Sequence, residues 1–554
     1  SWHDWSSRAW SEEESMTGNE ILARCLKDHR VEAIFFLMGG PMIDCENACL
    51  DQEIRMIDAR HEQAAAMMAN AYSRLRRQPS VCMAGSGPGA ANLVTGIANA
   101  FVDSAPVLAI AGSSPVSQWG MGAFQETDQV ALFQPITRWA DRCYDARRIP
   151  ESVETAFRHA LASRPGPVYL DMPGDVLYRD VPEDQIRWTP AAAERRRPPG
   201  DPRLVDRALE LIARSERPVL VSGSGVLWAQ AEQELRAFVE RAGIPFYATP
   251  QGRGAIPEDH PLCFLAARGA AWREADLIIL VGTRQNYVIG YARPPRWNAE
   301  AKLIQIDIDP AEIDRNRHAD VGIAGDARAV LAQFLDAGAA DFHAERRKRW
   351  TSYLSGQDEE KRAEHERQMS TNGRPIHPLR LCKEVRDFLP RDAVLCVDGQ
   401  EILNYARAAI PFYAPHSLNS GPYGCMGVGL PFGLGAKVAM PDKLVVVLHG
   451  DGSFGLNAME MDTALRHHLP VLCVISNNGG WTANDRFKVG RDLGVTRYDL
   501  MFAAIGCHGE HVEEPGLIRP ALERAAASGG PAVVNVVTDP GARAQTVRFA
   551  DYST

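Results

Sequence analysis

Short apolar runs rich in β-branched residues alternate along the chain with Ala-rich stretches of helical length. The first third carries VEAIFFLMG, SVCMAGSG, PVLAIAGSS and PVYLDMP, and the middle third RPVLVSGSG, IPFYATP, ADLIILVGTR and KLIQIDIDP. The last third repeats the pattern with AVLCVDG, KLVVVLHGDG, PVLCVISNN and PAVVNVVTD. Strand-sized runs separated by helical segments favour parallel sheets covered by helices, so the pattern predicts an α/β protein of three successive doubly wound parallel-sheet domains. Two charged, Pro-containing stretches interrupt it: Val181 to Arg203, ending in ERRRPPGDPR, and Asp336 to Pro378. Both read as interdomain connections, the second equally well as an exposed charged helix. The domains then fall at 16–183, 200–336 and 375–540, with 541–554 as a C-terminal segment suited to a lid.

Composition narrows the class without choosing a function. A chain of 554 residues has room for about three domains at roughly 150 residues each. Its 45% hydrophobic and 23% charged residues are ordinary for a soluble globular protein and argue against collagen-like, coiled-coil and disordered readings. A net charge of −10 argues against nucleic acid, whose phosphates need a basic face. No apolar run approaches the roughly 20 residues of a membrane span. The eleven cysteines are scattered, Cys45 and Cys49 being the closest pair, which favours a reduced compartment. The first residues, SWHDWSSRAWSEEES, lack the basic and apolar blocks of a signal peptide, and the expected location is cytoplasmic.

The chemistry is written where the run ending at His449 meets Gly450-Asp451-Gly452-Ser453-Phe454-Gly455, ahead of a helical stretch from about Asn457 to His468. The glycine spacing suits a phosphate-binding turn, yet Asp451 would repel a diphosphate unless a cation stood between them. Magnesium accepts a carboxylate, neutral carbonyl oxygens and phosphate oxygens together. Asp451 and the amide oxygen of Asn478, at the ends of consecutive strands, supply such a set, and the carbonyl of Gly480 completes it. Donors at the helix start, including Gly452 and Ser453, face the diphosphate.

GDG followed by Asn477-Asn478 resembles the signature of thiamine-diphosphate enzymes, and the likeness runs from about Met16 to Asp539. It implies thiamine diphosphate and Mg2+ as cofactors. In that family a glutamate of the first domain, at the start of a helix after a strand, drives deprotonation of the thiazolium carbon; Glu62 in IDARHEQAA matches it. Cofactor contacts are implied at Gly39 and Pro41 in FLMGGPM, at Gly87 and Asn92 in GSGPGAAN, and at Gly424 and Met426 in PYGCMGVG. Gln400 in VDGQE is a further diphosphate contact, and Asn478 serves both metal and cofactor. Because Glu62 and Asp451 belong to different domains, the family's arrangement of active sites at subunit interfaces implies a homodimer or homotetramer.

Within the family, FLMGGPM, GAFQETDQ, GTRQN with IQIDIDP, and NNGGW look most like 2-hydroxyacyl-CoA lyases and the related oxalyl-CoA decarboxylases. The first cleave a 2-hydroxyacyl-CoA to formyl-CoA and a ketone or aldehyde, and in reverse condense formyl-CoA with a carbonyl compound. Phe124-Gln125 stands where decarboxylases commonly carry Tyr-Glu, which weakens the decarboxylase reading and nominates both residues as catalytic. Acetohydroxyacid synthases share the FQE-like stretch and are a further alternative, as is a noncatalytic nucleotide-binding subunit. An acyl-CoA substrate needs a dock for its nucleotide, and Arg284 and Asp307, at strand ends of the middle domain, suit phosphate and ribose. Asp485 and Asp492 are candidate acids or bases in the segment after Gly479.

Overall fold

Every strand of the three main sheets is parallel, as the uninterrupted apolar runs require, since strands covered by helices on both faces have no solvent side to alternate toward. The computed structural model describes residues 15–191, 195–336, 342–481 and 489–544. The chain divides into two compact units. The first runs to Asn70 and resumes from Pro79 to Glu194; the second takes Ala71–Gln78 and the chain from Arg195 onward.

The first unit contains β1 (Ser15–Thr17), β2 (Ala33–Leu37), β3 (Arg55–Asp58), β4 (Ser80–Ala84), β5 (Val107–Ser113), β6 (Ala140–Arg142), β7 (Val168–Pro173) and β8 (Asp180–Pro182). Six of them form one sheet in the order β3-β2-β4-β5-β7-β6, while β1 and β8 pair antiparallel outside it. Helix Gly18–Asp28 starts on a reciprocal cap in which Thr17 and Glu20 each accept the other's backbone N–H. Helix Pro88–Asp103 is rich in Gly and Ala for a packing reason: a Cβ on Gly96 would stand 2.5 Å from that of Ala66.

The second unit holds two sheets. Strands β9 (Pro218–Ser222), β10 (Phe246–Ala248), β11 (Leu277–Val281), β12 (Lys302–Asp307) and β13 (Val321–Ala324) lie in the order β10-β9-β11-β12-β13. Strands β14 (Val394–Asp398), β15 (Ser417–Asn419), β16 (Val445–Gly450), β17 (Leu472–Asn477), β18 (His508–Val512) and β19 (Ala532–Val537) lie in the order β15-β14-β16-β17-β19-β18. That order repeats the six-stranded sheet of the first unit strand for strand, a kinship of topology that the sequence does not print as a repeat. Between the two sheets of this unit, buried Arg253 pairs with Glu258 and donates to the carbonyl of Ile410, while Phe412 N–H donates to Glu258 (2.8 Å).

The charged stretch beyond Asp336 resolves into a helix, Lys348–Met369. It is anchored by buried Trp350, Leu354 and Met369 and by Asp358, whose carboxylate accepts the N–H of Ala266 (2.7 Å). Its remaining faces carry the charges that made the sequence ambiguous. Among the described residues no helix is long and apolar enough to cross a membrane.

Candidate active site

In an open parallel sheet the crevice for a ligand opens where neighbouring strands send their connections to opposite faces. Here those points lie between β2 and β4, between β9 and β11, and between β14 and β16. Residues singled out in the sequence lie at or beside each of them.

At the β2/β4 crevice two loops nearly touch: a Cβ on Gly39 would lie 3.0 Å from the Cα of Gly85. Ser86 N–H donates to the carbonyl of Gly40 (3.1 Å), and Pro41 packs against Gly112. Glu62 opens helix Glu62–Arg76 and is buried; Asn92, from the next helix, donates its amide N–H to Glu62 Oε2 (3.0 Å). Gly87 has φ of +55° and no room for a side chain, since a Cβ would lie 2.7 Å from the Gln125 carbonyl oxygen. Gln125, itself at φ +56°, accepts the Ser86 hydroxyl through Oε1 (2.5 Å), so its amide nitrogen is directed away from Ser86. Glu62, Gly87, Asn92 and Gln125 are thus brought together within one unit. Phe124 presents its ring to solvent at 85% exposure and only its carbonyl inward, accepting from Ser114 Oγ (3.0 Å).

At the β14/β16 crevice the helix following β16 begins at Asp451 itself and runs to Leu456, earlier than the stretch from Asn457 expected from sequence; a second helix, Glu460–Arg466, follows the break. The Gly-rich turn is therefore the first helical turn. Asp451 is buried, and burial raises its carboxyl to about 6, although it receives backbone N–H groups of Gly452, Gly480 and Gly479. Its Oδ2 has no hydrogen-bond partner among the described residues. A buried carboxylate oxygen left unpaired is costly in a metal-free protein and is what a cation would relieve, so these residues fit the expected magnesium. Asn478 Oδ1 accepts the N–H of Gly480 (3.3 Å), and Gly480 sits against Arg491 with 2.3 Å between a built Cβ and the Arg491 carbonyl. The ends of β16 and β17 thus bring Asp451 onto the loop that carries Asn478 and Gly480. The Trp481 ring covers Gly452, where a Cβ would meet it at 2.8 Å.

Other nominated residues are placed differently from one another. The Ser453 hydroxyl turns inward to the carbonyls of Asp398 (3.1 Å) and Gly450 (3.0 Å), which leaves its backbone rather than its side chain for a phosphate. Gln400 begins helix Gln400–Ala409 and is exposed, beside Gly399, whose φ of +110° lets it approach the Gly450 N–H. Gly424 has φ of +69°, and Met426 is half-buried. Asp485 and the lid residues 545–554 lie outside the described residues. Of the tail, Ala544 N–H donates to Glu401 (2.9 Å) on the helix that Gln400 starts.

Several residues around this crevice had no role in the sequence reading. Asp398, at the end of β14, accepts the N–H of Gly429 (2.9 Å), and Asn457 donates to the carbonyl of Gly427 (2.7 Å), so the segment holding Met426 is gripped from two sides. His449 stands 3.7 Å from Asp398. Burial lifts Asp398 to about 6 and holds His449 down to about 3, so the imidazole is neutral and the contact is not an ion pair. An acidic residue closing a strand and a histidine before GDG are the only marks these positions leave in sequence.

At the β9/β11 crevice, Gly223 and Gly225 after β9 press on Gly282 after β11, with a Cβ on Gly223 only 2.3 Å from the Gly282 carbonyl oxygen. Arg284 follows on that loop, half-buried, and Asp307 closes β12, buried, with Oδ1 accepting Asp309 N–H (2.9 Å). Gln285, fully buried, fixes the turn between them by donating to Gln305 (2.8 Å) and accepting from Asn316 (3.0 Å).

Three domain models match the chain: the N-terminal binding domain of thiamine pyrophosphate enzymes over residues 16–132, their central domain over 205–334 and their C-terminal binding domain over 401–536. Among curated proteins, the chain is 35% identical to a probable acetolactate synthase of Mycobacterium bovis, over 95% of this chain and 96% of that protein. It is 32% identical to a 2-hydroxyacyl-CoA lyase of Arabidopsis thaliana, over 97% of this chain and 98% of the other. It is also 32% identical to an oxalyl-CoA decarboxylase of Escherichia coli K12, over 95% of each.

Proposed function

The chain belongs to the thiamine pyrophosphate enzymes, and on that premise we propose that it is a carbon–carbon lyase that cleaves a 2-hydroxyacyl-CoA to formyl-CoA and a ketone or aldehyde, and condenses the same products in reverse. The observation that carries the CoA assignment is the glycine-packed β9/β11 crevice, flanked by Arg284 for phosphate and Asp307 for ribose. Asp451, Asn478 and Gly480 are the proposed magnesium ligands, with the backbone from Gly452 and Ser453 and the exposed Gln400 toward the diphosphate. Gly39, Pro41, Gly87, Gly424 and Met426 are the proposed walls around the thiamine rings.

Thiamine diphosphate, when bound, supplies a nucleophilic carbon and an electron sink. Glu62, steadied by Asn92, is positioned to exchange a proton with the aminopyrimidine nitrogen, and its burial excludes water from that exchange. Gln125 offers a neutral N–H donor to a substrate hydroxyl or carbonyl oxygen, where a carboxylate would repel developing negative charge. Phe124, outward in the isolated chain, is a proposed apolar wall for the acyl group. A cofactor held by Glu62 of one subunit and Asp451 of another makes the homodimer the smallest active form, and a homotetramer a pair of such dimers.

The 35% identity to a probable acetolactate synthase supports a second reading, carboligation of pyruvate. One assay separates the alternatives: enzyme, thiamine diphosphate and Mg2+ incubated in turn with 2-hydroxyisobutyryl-CoA, oxalyl-CoA and pyruvate. Formyl-CoA with acetone from the first is the expected outcome. Acetolactate from pyruvate, or formyl-CoA with carbon dioxide from oxalyl-CoA, with no ketone or aldehyde from any hydroxyacyl-CoA, would refute it.

A further inference from the structure

Gln129 lies behind the β2/β4 crevice, 1% exposed, at the start of the short helix Gln129–Phe133. Its amide nitrogen faces three acceptors: the carbonyl of Gly112 (3.0 Å), the Tyr169 hydroxyl (2.8 Å) and Asp171 Oδ1 (2.7 Å). That leaves the amide no choice of orientation, and its Oε1 accepts the N–H of Gly87 (2.7 Å). Asp171 is itself fixed, fully buried, by Arg142 and by the Ser113 hydroxyl (2.9 Å), and the Arg142 guanidinium lies 3.8 Å above the Trp119 ring.

We infer that Gln129 is a positioning residue, through which the buried Arg142–Asp171 pair sets the Gly87 turn and thereby both Glu62 and Gln125. Three contacts transmit the position. Gly87 is the N-cap of helix Pro88–Asp103, whose next turn carries Asn92 to Glu62. The Gly87 backbone abuts the Gln125 backbone too closely to admit a side chain. Ser86, one residue earlier, donates to the Gln125 amide oxygen. A shift of the Gly87 N–H therefore moves the proton-handling carboxyl and the substrate-facing amide together. The inference rests on the roles proposed above for Glu62 and Gln125, and not on which acyl group is cleaved.

The test uses full-length holoenzyme. Gln129→Met keeps the volume and removes every hydrogen bond; Gln129→Glu keeps an acceptor for Gly87 but opposes Asp171 and the Gly112 carbonyl with a second carboxylate. The first readout is the rate of hydrogen–deuterium exchange at C2 of bound thiamine diphosphate, measured without substrate. We expect both variants to slow it by about tenfold or more, since misplacement by about 1 Å costs up to about a hundredfold, while the affinity for thiamine diphosphate with Mg2+ stays within about twofold. Unchanged exchange in either variant that retains the wild-type melting curve overturns the proposal. The second readout is a double-mutant cycle on kcat/KM with Gln125→Ala. Coupling is expected, the Gln129 substitution costing less when Gln125 is already gone, whereas strict additivity would mean that Gln129 is only a buried structural amide. If no substrate class turns over, the exchange assay still decides the role of Gln129 and only the reading of the reaction fails.

Discussion

Glu62→Gln preserves shape and the hydrogen bond from Asn92 but cannot take a proton, so cofactor affinity should persist while turnover falls by at least about a hundredfold, as befits loss of a general acid–base. Calorimetry for binding and steady-state kinetics for turnover check this; an active variant ends the proton-transfer role. As the proposed magnesium ligand, Asp451 ties metal binding to pH. Its folded, metal-free carboxyl sits near 6, above the ordinary 3.8, so this group favours the folded apoprotein below about pH 4 and that contribution is lost as pH rises through 6. Mg2+ needs the carboxylate and reverses the trend. Its affinity should rise about tenfold per pH unit up to about pH 6 and level off above, read by calorimetric titration between pH 5 and 8. In Asp451→Asn the affinity should be weak and flat across that range.

At the scale of elements, the proposed cofactor crevice depends on helices lying very close to strands. In helix Gly429–Ala439 a Cβ on Gly433 would approach a methyl of Val447 in β16 to 2.5 Å, and one on Gly429 would approach the His449 ring to 2.3 Å. Gly433→Val should lower stability by about 1–3 kcal/mol through overpacking, seen as a lowered denaturant midpoint with an unchanged slope. Gly429→Ala, which strikes the neutral His449 and the Asp398 contact, should weaken thiamine diphosphate binding more than it lowers the midpoint. Equal effects of the two substitutions on cofactor affinity would mean that the His449–Asp398 contact does not position the Met426 segment.

At the scale of the whole molecule, the same strand order, with the crevice between the first and third strands, occurs at both ends of the chain, one bearing Glu62 and the other Asp451. The proposed sharing of each cofactor between two subunits makes a definite prediction for mixed assemblies. Glu62→Gln and Asp451→Ala proteins, each inactive alone, should regain about a quarter of wild-type activity after equal mixing and subunit exchange, because half the dimers are mixed and each of those has one intact site. No recovery despite proven exchange would place both residues in one subunit's site.

The strand runs, the parallel sheets, the helix-start position of Glu62 and the positions of Asp451, Asn478, Arg284 and Asp307 at or just after strand ends were legible in sequence, because burial on both faces demands continuous apolar runs and open parallel sheets present their ligand crevices where such runs stop. The family was legible for the same reason, GDG and NN each standing at the end of a strand. Sequence left open whether the stretch after Asp336 was linker or helix, and it set the helix after GDG six residues late, since glycines lower helix propensity while tertiary packing under Trp481 overrides it. It gave no role to Asp398, His449, Asn457 or Gln129, because a buried polar side chain is defined by partners distant in the chain: Gln129 meets Gly87 and Asp171 only once the strands are laid side by side. The sequence by itself determined which residues end the strands; the tertiary structure alone decided which of those ends face each other, because hydrogen bonds and close backbone approach depend on distance in space and not along the chain.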